Sequence, residues 1–308
     1  MRHPRLLITG IAGFLGQHLA RVAAEAGWDV CGVVRQHGIA GYNTVRADLA
    51  EPGAAIDAIE RLSPDAVVHA AANARTNECE RYPEAAWRDN VRATELLALA
   101  CASGTPGPPF VVCSTDLVFD GERPGGMYTE DDLTNPINVY GRSKRAMEER
   151  LAELGSHAVI ARLPLLFGPP ATTDAPGSFL GGWIDQLKSG RELVLFTDEW
   201  RTPLSAREAA RGVLAAVEKG RPGVCYHLAG PQRISRHELG KAFAHHAERW
   251  LGFDAGLIRP GLRADVPMPA PRAADVSLDG SRANAELGFS PAPLDGELAW
   301  TARVMAEI

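Results

Sequence analysis

The chain has 308 residues, 45% of them apolar and 23% charged, and 32 Lys and Arg stand against 38 Asp and Glu for a net charge of −6. That length suits one large α/β domain or a large domain with a smaller partner, and the composition excludes disordered and fibrous classes. The acidic balance without a basic run argues against nucleic-acid binding, and no uninterrupted apolar run is long enough to span a membrane.

The N-terminus enters a first strand within a few residues, which predicts a cytoplasmic protein. Cysteines at 31, 79, 101, 113 and 225 are dispersed, odd in number and without a C-x-x-C pair. They read as small buried residues of a reducing compartment. His245 and His246, adjacent in sequence, point in different directions on a helix, and no metal site is predicted.

Residues 5–9 (RLLIT) predict a short strand that breaks at Gly10, and FLGQHLARVAAEAG then has helical periodicity, ending at Gly27 as a C-cap. DVCGVVR at 29–35 is a second strand, DAVVHAAA at 65–72 a third, and a helix runs from about Pro83, proline at its first turn, to Ser103. PFVVCST at 109–115 is a further strand, followed by a helix carrying Tyr140 and the strand HAVIARL at 157–163. Nearly apolar strands alternating with helices predict an α/β fold with a doubly wound parallel sheet of Rossmann type.

After Gly168 the character changes. GPPATTDAPG is a loop, SFLGGWIDQLKSG a short helix and ELVLFT a strand. Ser205 with Glu208 predicts a capping box for AREAARGVLAAVEKG, GVCYHLAG follows as a strand, and Ser235 with Glu238 caps a helix reaching Trp250. Arg259 to Pro271, rich in proline, reads as an irregular loop. The predicted division is a dinucleotide-binding domain from 1–167 and about 204–230, with a smaller discontinuous α/β substrate domain from about 168–203 and 231–308.

Three stretches carry chemistry. TGIAGFLG at 9–16 sets Gly10, Gly13 and Gly16 between a strand and a helix. Glycines there permit a tight turn and a close approach of backbone to a pyrophosphate, which the helix N-terminus favours. The second strand ends in Arg35 rather than an acid, which favours a 2′-phosphate and hence NADP(H) over NAD(H), while Asp48 of ADL is a candidate for the adenine edge. CSTDLVF at 113–119 sets the hydroxyl of Thr115 at a strand end, and NVYGRSK at 138–144 sets Tyr140 and Lys144 one helical turn apart. Alone, that pair reads first as a half-buried tyrosine and a solvated lysine; a nearby cation is also what a phenol needs to act as an acid near neutral pH.

Taken together, TGIAGFLG, VVHAAA, CSTDLVF, NVYGRSK and ARLPLLFG resemble the extended short-chain dehydrogenase/reductases, in order through most of the chain. Within them, STDLVFDGERPGGMYTEDDLTNPINVYGRSK, DAVVHAAANARTNECERYPEAAWRDNV and DVSLDGSRANAELGF are similar to the dTDP-4-dehydrorhamnose reductases. The resemblance implies Thr115, Tyr140 and Lys144 as the catalytic trio. It implies cofactor contacts at Gly10, Ala12, Gly13, Phe14, Leu15 and Gly16, at Arg35, Asp48 and Leu49, at Ala70, Ala71 and Ala72, and at Tyr140 and Lys144. The implied reaction is reduction of a nucleotide-sugar ketone by NADPH, with NADH as the alternative, by a cytoplasmic protein that forms a homodimer. Candidate substrate contacts are Asn138 and Val139 beside the tyrosine, the 169–178 loop, and Arg201, which reads either as a pyrophosphate contact or as a surface residue.

Relatives with 4,6-dehydratase activity carry Asp-Glu after the threonine; Asp116-Leu117 here lacks that base, which argues against dehydration. The chain departs from the rhamnose reductases at Leu117 and Leu165, where they have aromatic residues, and at His18, where they have an acid that contributes to a metal at their dimer interface. The ketone is therefore open between a 4-keto-6-deoxy nucleotide sugar, another deoxysugar and a non-sugar carbonyl. Two alternatives stand beside the reductase: a nucleotide-sugar epimerase, and an NADP-binding regulatory subunit similar to the β subunit of methionine adenosyltransferase.

Overall fold

The computed structural model describes residues 3–36, 38–104, 107–172 and 175–308. Its first half alternates strand and helix: β1 (Arg5–Thr9), α1 (Phe14–Glu25), β2 (Asp29–Val34), β3 (Asn43–Arg46), α2 (Ala54–Leu62) and β4 (Ala66–His69). There follow α3 (Thr76–Arg81), α4 (Pro83–Trp87), a π-helical turn at Arg88–Arg92, α5 (Ala93–Ala102), β5 (Phe110–Thr115), α6 (Val139–Glu153) and β6 (Val159–Leu163). The rest comprises β7 (Leu166–Phe167), α7 (Phe179–Lys188), β8 (Leu193–Phe196), β9 (Trp200–Arg201), β10 (Leu204–Ser205), α8 (Ala206–Lys219), β11 (Cys225–His227), β12 (Ile234–Ser235), α9 (Arg236–Leu251), β13 (Ile258–Gly261), α10 (Ser281–Leu287) and α11 (Leu294–Glu307).

Seven parallel strands form the central sheet in the order β11-β6-β5-β4-β1-β2-β3. Successive side chains of one strand feed opposite faces. Leu6 and Ile8 join the core under α1 and α8, whereas Leu7 joins the core under α2, α5 and α6. The strand order reverses between β1 and β4, so a crevice opens at their carboxyl ends, where open α/β sheets bind ligands.

Elements after β6 divide their allegiance. α8 and β11 return to the central sheet, while α7, β8, α9, β13 and α11 enclose a separate core built on Leu180, Trp183, Leu195, Phe243 and Leu298. Three two-stranded ladders, β7 with β10, β9 with β12 and β8 with β13, tie this part together.

Three local expectations are corrected. The segment from Arg259 is not irregular throughout, since Ile258–Gly261 pairs in parallel with β8 and Pro260 is tolerated on that edge. The α8 capping box is half formed: Ser205 Oγ accepts from Glu208 N, but the Glu208 carboxylate reaches Arg211 and the amide of Ala292 instead. At Ser235 both halves of the box are present. Finally, the helix expected from Pro83 to Ser103 is interrupted by the π-turn at Arg88–Arg92. Of the 169–178 loop, Thr173 and Asp174 lie outside the described residues. No helix among the described residues is long and apolar enough to cross a membrane.

Candidate active site

The glycine-rich turn joins β1 to α1. Gly10 has φ +71°, and a Cβ there would sit 2.7 Å from the backbone of Ala71, so only glycine lets the β1 turn close on the chain leaving β4. A Cβ on Gly16 would lie 2.1 Å from the Gly10 carbonyl, so the first turn of α1 packs directly on the loop. The N-cap residue, Gly13, supplies no side-chain oxygen, and α1 has no acid in its first turn. Its leading amides are left for an anion, and the donor set fits a dinucleotide pyrophosphate. Ala12, Phe14 and Leu15 line the same turn and are only partly buried, as are Ala70 and Ala71 after β4, while Ala72 is exposed.

At the carboxyl end of β2, Arg35 lies half exposed with its Nη2 3.0 Å from Asp89 Oδ1. Arg88, on the π-turn, binds Asp48 Oδ2 at 2.6 Å, Glu51 at 2.8 Å and Asp89 at 3.1 Å. Asp48 Oδ1 in turn accepts from the amide of Ala50, and the neighbouring Leu49 is buried. The Asp48 carboxylate is held below the usual range, burial being outweighed by Arg88 and by the Ala50 amide.

Thr115 ends β5, next to β4 in the sheet, and Tyr140 and Lys144 share the buried face of α6. Asn138 caps that helix: its Oδ1 accepts from Gly141 N at 2.8 Å and its Nδ2 donates to Pro271 O at 3.3 Å. Its side chain is thus spent on holding the helix start. Val139 is buried against Cys79 and Ala86, with its amide donating to Glu80 at 3.0 Å. Gly141 permits the close approach of α6 to the turn after Thr115, because a Cβ there would fall 2.1 Å from Leu117 O.

Lys144 is 2% exposed and Tyr140 9%. Burial pushes the Tyr140 phenol above its ordinary value; a hydrogen bond with Thr115 opposes this, and the charge of Asp116 adds to it. Burial pulls Lys144 down to about 8, against the influence of Cys113 and Glu148. Both shifts favour the neutral forms, the state of a proton donor at rest beside a cation that is easily discharged.

Two residues that the motif reading passed over support the trio. Asn90, fully buried on the π-turn, accepts from the amide of Asn73 at 2.8 Å and donates to Asn73 O at 3.1 Å and Ser143 Oγ at 2.9 Å; Ser143 in turn donates to Tyr140 O. Widening the helix by one residue per turn re-aims a side chain, and here it turns Asn90 toward α6. Asp116, next to Thr115, accepts from the threonine hydroxyl at 3.1 Å, and its Oδ2 has no hydrogen-bond partner. Burial raises its carboxyl to about 6, opposed by Arg201 and the Thr115 hydroxyl and reinforced by Glu199.

Arg201 is buried rather than on the surface. Its Nη1 donates to Trp200 O at 2.7 Å, its Nη2 lies 3.3 Å from Glu199, and its Nε lies 3.7 Å from Asp116 Oδ2. It links the second core to the turn after Thr115. Among the described residues no group of three or more His, Cys, Asp or Glu side chains is arranged to hold a metal. His18 Nε2 lies 3.1 Å from Pro169 O.

A family model described as RmlD substrate binding domain matches residues 4–305. A Haloferax volcanii protein named "Probable low-salt glycan biosynthesis reductase Agl14" is 31% identical over 293 residues, covering 95% of each chain. Methionine adenosyltransferase 2 subunit beta of Danio rerio is 35% identical over 251 residues, 78% of this chain and 73% of its own. The crystal structure of a dTDP-4-dehydrorhamnose reductase from Clostridium acetobutylicum superposes with a TM-score of 0.83 at 25% identity, covering 98% of this chain and 99% of that one.

Proposed function

Because the chain belongs to the RmlD substrate binding domain family, we propose that it is an NADPH-dependent reductase of a 4-keto-6-deoxy nucleotide sugar, with NADH as the weaker cofactor. The observation that carries this reading is the convergence of Thr115, Tyr140 and Lys144 at the carboxyl edge of the sheet, beside the glycine turn on β1. The turn at 10–16 would hold the pyrophosphate, Arg35 the 2′-phosphate and Lys144 the nicotinamide ribose. A bound dinucleotide supplies the hydride.

The remaining chemistry belongs to the side chains. Tyr140, and Thr115 once its hydroxyl proton turns from Asp116, fix the ketone oxygen by hydrogen bonds, so that charge developing there meets donors beside it. Tyr140 passes its proton to that oxygen as the alkoxide forms. Lys144, charged, offsets the phenolate left behind, which a dry pocket would otherwise penalise. Asp116 and Arg201 close the far side, and the elements around α7, α9 and α11 form the substrate domain that takes up the nucleotide. Dehydration has no base at Leu117.

The test is NADPH oxidation by the purified protein with a panel of nucleotide 4-keto-6-deoxy sugars. Turnover with one of them supports the reading. A regulatory role is the second reading, motivated by the 35% identity to the Danio rerio β subunit; cofactor binding without turnover on the panel, together with a co-purifying enzyme, would favour it. Tightly retained NAD+ would favour an epimerase.

A further inference from the structure

Beneath α6 runs a buried charged row that the proposed chemistry does not use. Ser114 on β5 is in register with Arg162 on β6, and Arg162 with His227 on β11, so the three side chains project side by side toward the same helix. Glu148 comes down from α6 to meet them. Ser114 Oγ donates to Glu148 Oε1, Arg162 Nε donates to the same oxygen at 3.1 Å, and Arg162 Nη2 donates to Oε2 at 2.7 Å.

The row is closed at its other end. Arg162 Nη1 lies 3.3 Å from His227 Nε2, and His227 Nδ1 lies 3.0 Å from Tyr128 O. A guanidinium only donates and a carbonyl only accepts, so the imidazole carries its proton on Nδ1. Burial, with Arg162 adding to it, pushes His227 down to about 3 and keeps it neutral. Burial works against the Arg162 charge as well, but Glu148 overrides it and leaves the guanidinium more basic than usual. Buried ion pairs contribute little net stability compared with an apolar replacement, and positional specificity is their better-attested use.

What is positioned here follows from spacing. Tyr140, Lys144 and Glu148 succeed one another at i, i+4 and i+8 on the buried face of α6. On the sheet side, Ser114 immediately precedes Thr115. We propose that Glu148, clasped by Arg162 and Ser114, is a positioning residue that fixes the height of α6 over the end of β5 and keeps Lys144 in its charged form. The catalytic consequence rests on the reductase reading; the structural and electrostatic claims do not.

The groups facing Lys144 support this. Tyr140 shares its helix, Cys113 comes from β5 and His69 from β4. Burial raises the Cys113 thiol to about 12 and, with the Lys144 charge adding to it, lowers His69 to about 3, so both are neutral. Glu148, one turn further along α6, also acts on the Lys144 charge, and among the groups named here it is the one held as an ion-paired carboxylate.

Only four lysines occur in the chain, at 144, 188, 219 and 241, and the last three are exposed. Carbon-13 lysine labelling of the cofactor-free protein therefore gives four side-chain signals, with the buried one assignable by its loss in Lys144→Arg. In Glu148→Gln the Lys144 midpoint is expected to fall by roughly one pH unit, as for loss of a close opposite charge. In Glu148→Asp it stays near that of the wild type while turnover drops about tenfold, because the shorter side chain cannot span both partners. Should Glu148→Gln not fold, the double variant Glu148→Gln/Arg162→Gln keeps an amide pair in the row, and because a cation leaves with the anion the Lys144 midpoint is expected to fall by a smaller step. An unmoved Lys144 midpoint in either folded variant overturns the proposal. Failure of the reductase reading has a separate signature, no NADPH oxidation with any sugar of the nucleotide-ketosugar panel, which leaves the titration untouched.

Discussion

Lys144 lies one helical turn beyond Tyr140 on the buried face of α6, and burial moves their protons in opposite senses, the phenol held more tightly and the ammonium less. Near neutral pH the buried lysine charge is what costs stability, while the phenol rests neutral, and each is in a state that the other can use. The phenol gives up its proton at less cost when a charged lysine stands behind it, and the buried lysine tolerates its charge better when a phenolate forms.

Removing that lysine should therefore stabilise the cofactor-free fold. The folded Lys144 titrates at about 8 against 10.5 for the ordinary side chain, so the folded state binds fewer protons than the unfolded one between those values. Wild-type stability should rise as pH climbs through that window, and the penalty is fully present below it. Lys144→Met, measured by urea unfolding, is expected to be more stable than wild type at pH 7 by on the order of 1–3 kcal/mol, the difference shrinking toward pH 10. Turnover should be lost in the same variant, the usual trade between stability and function.

Arg35 is expected to set cofactor preference. Among the described residues its half-exposed guanidinium forms an ion pair with Asp89 alone, which leaves donors to meet a 2′-phosphate. Arg35→Ala should weaken NADPH affinity by roughly tenfold or more and leave NADH nearly unchanged, as for loss of a charge-assisted contact. Isothermal titration with the two cofactors measures both values; an equal loss for each would show that Arg35 does not read the phosphate.

Asn90 ties three segments together, the strand-end loop at Asn73, its own π-turn and α6 through Ser143. Asn90→Ala leaves the partly buried Asn73 amide and carbonyl without their partner and removes the buried Asn90 contact to Ser143, so a loss of about 1–3 kcal/mol is expected on unfolding. Turnover should fall at the same time, because Ser143 also donates to the backbone of Tyr140. Asn90→Asp, which keeps the acceptor for Asn73 N, should recover part of both.

How much of this was legible depends on what each residue does. The strands at 5–9, 29–34, 110–115 and 159–163 announce themselves as apolar runs, because a parallel sheet buried on both faces needs apolar side chains throughout. The edge strand Asn43–Arg46 gives no such signal: it buries Val45 alone, and polar residues suffice beside it. Gly10 and Gly16 were visible in their spacing, whereas Gly141 was not, since its reason is the carbonyl of Leu117, 24 residues earlier in the chain.

Charges were harder to place than turns. Arg201 was a named candidate, but nothing local distinguishes a buried guanidinium from an exposed one; its partners Asp116 and Glu199 come from different elements. Glu148 had a signal in the i+4 step beyond Lys144, yet its partner Arg162 lies on a strand and is brought there by the crossover alone. Asn90 depends on a π-turn, which no hydrophobic period reveals.

The central claim is that the Tyr140 phenol delivers the proton. Tyr140→Phe keeps the ring among Val139, Cys79 and Ala86 and removes only the hydroxyl. Single-turnover NADPH oxidation with the best nucleotide ketosugar should slow by about 10²–10⁴-fold in this variant, with NADPH affinity held within a factor of about three of wild type. Turnover at the wild-type rate with the phenol gone would contradict the account.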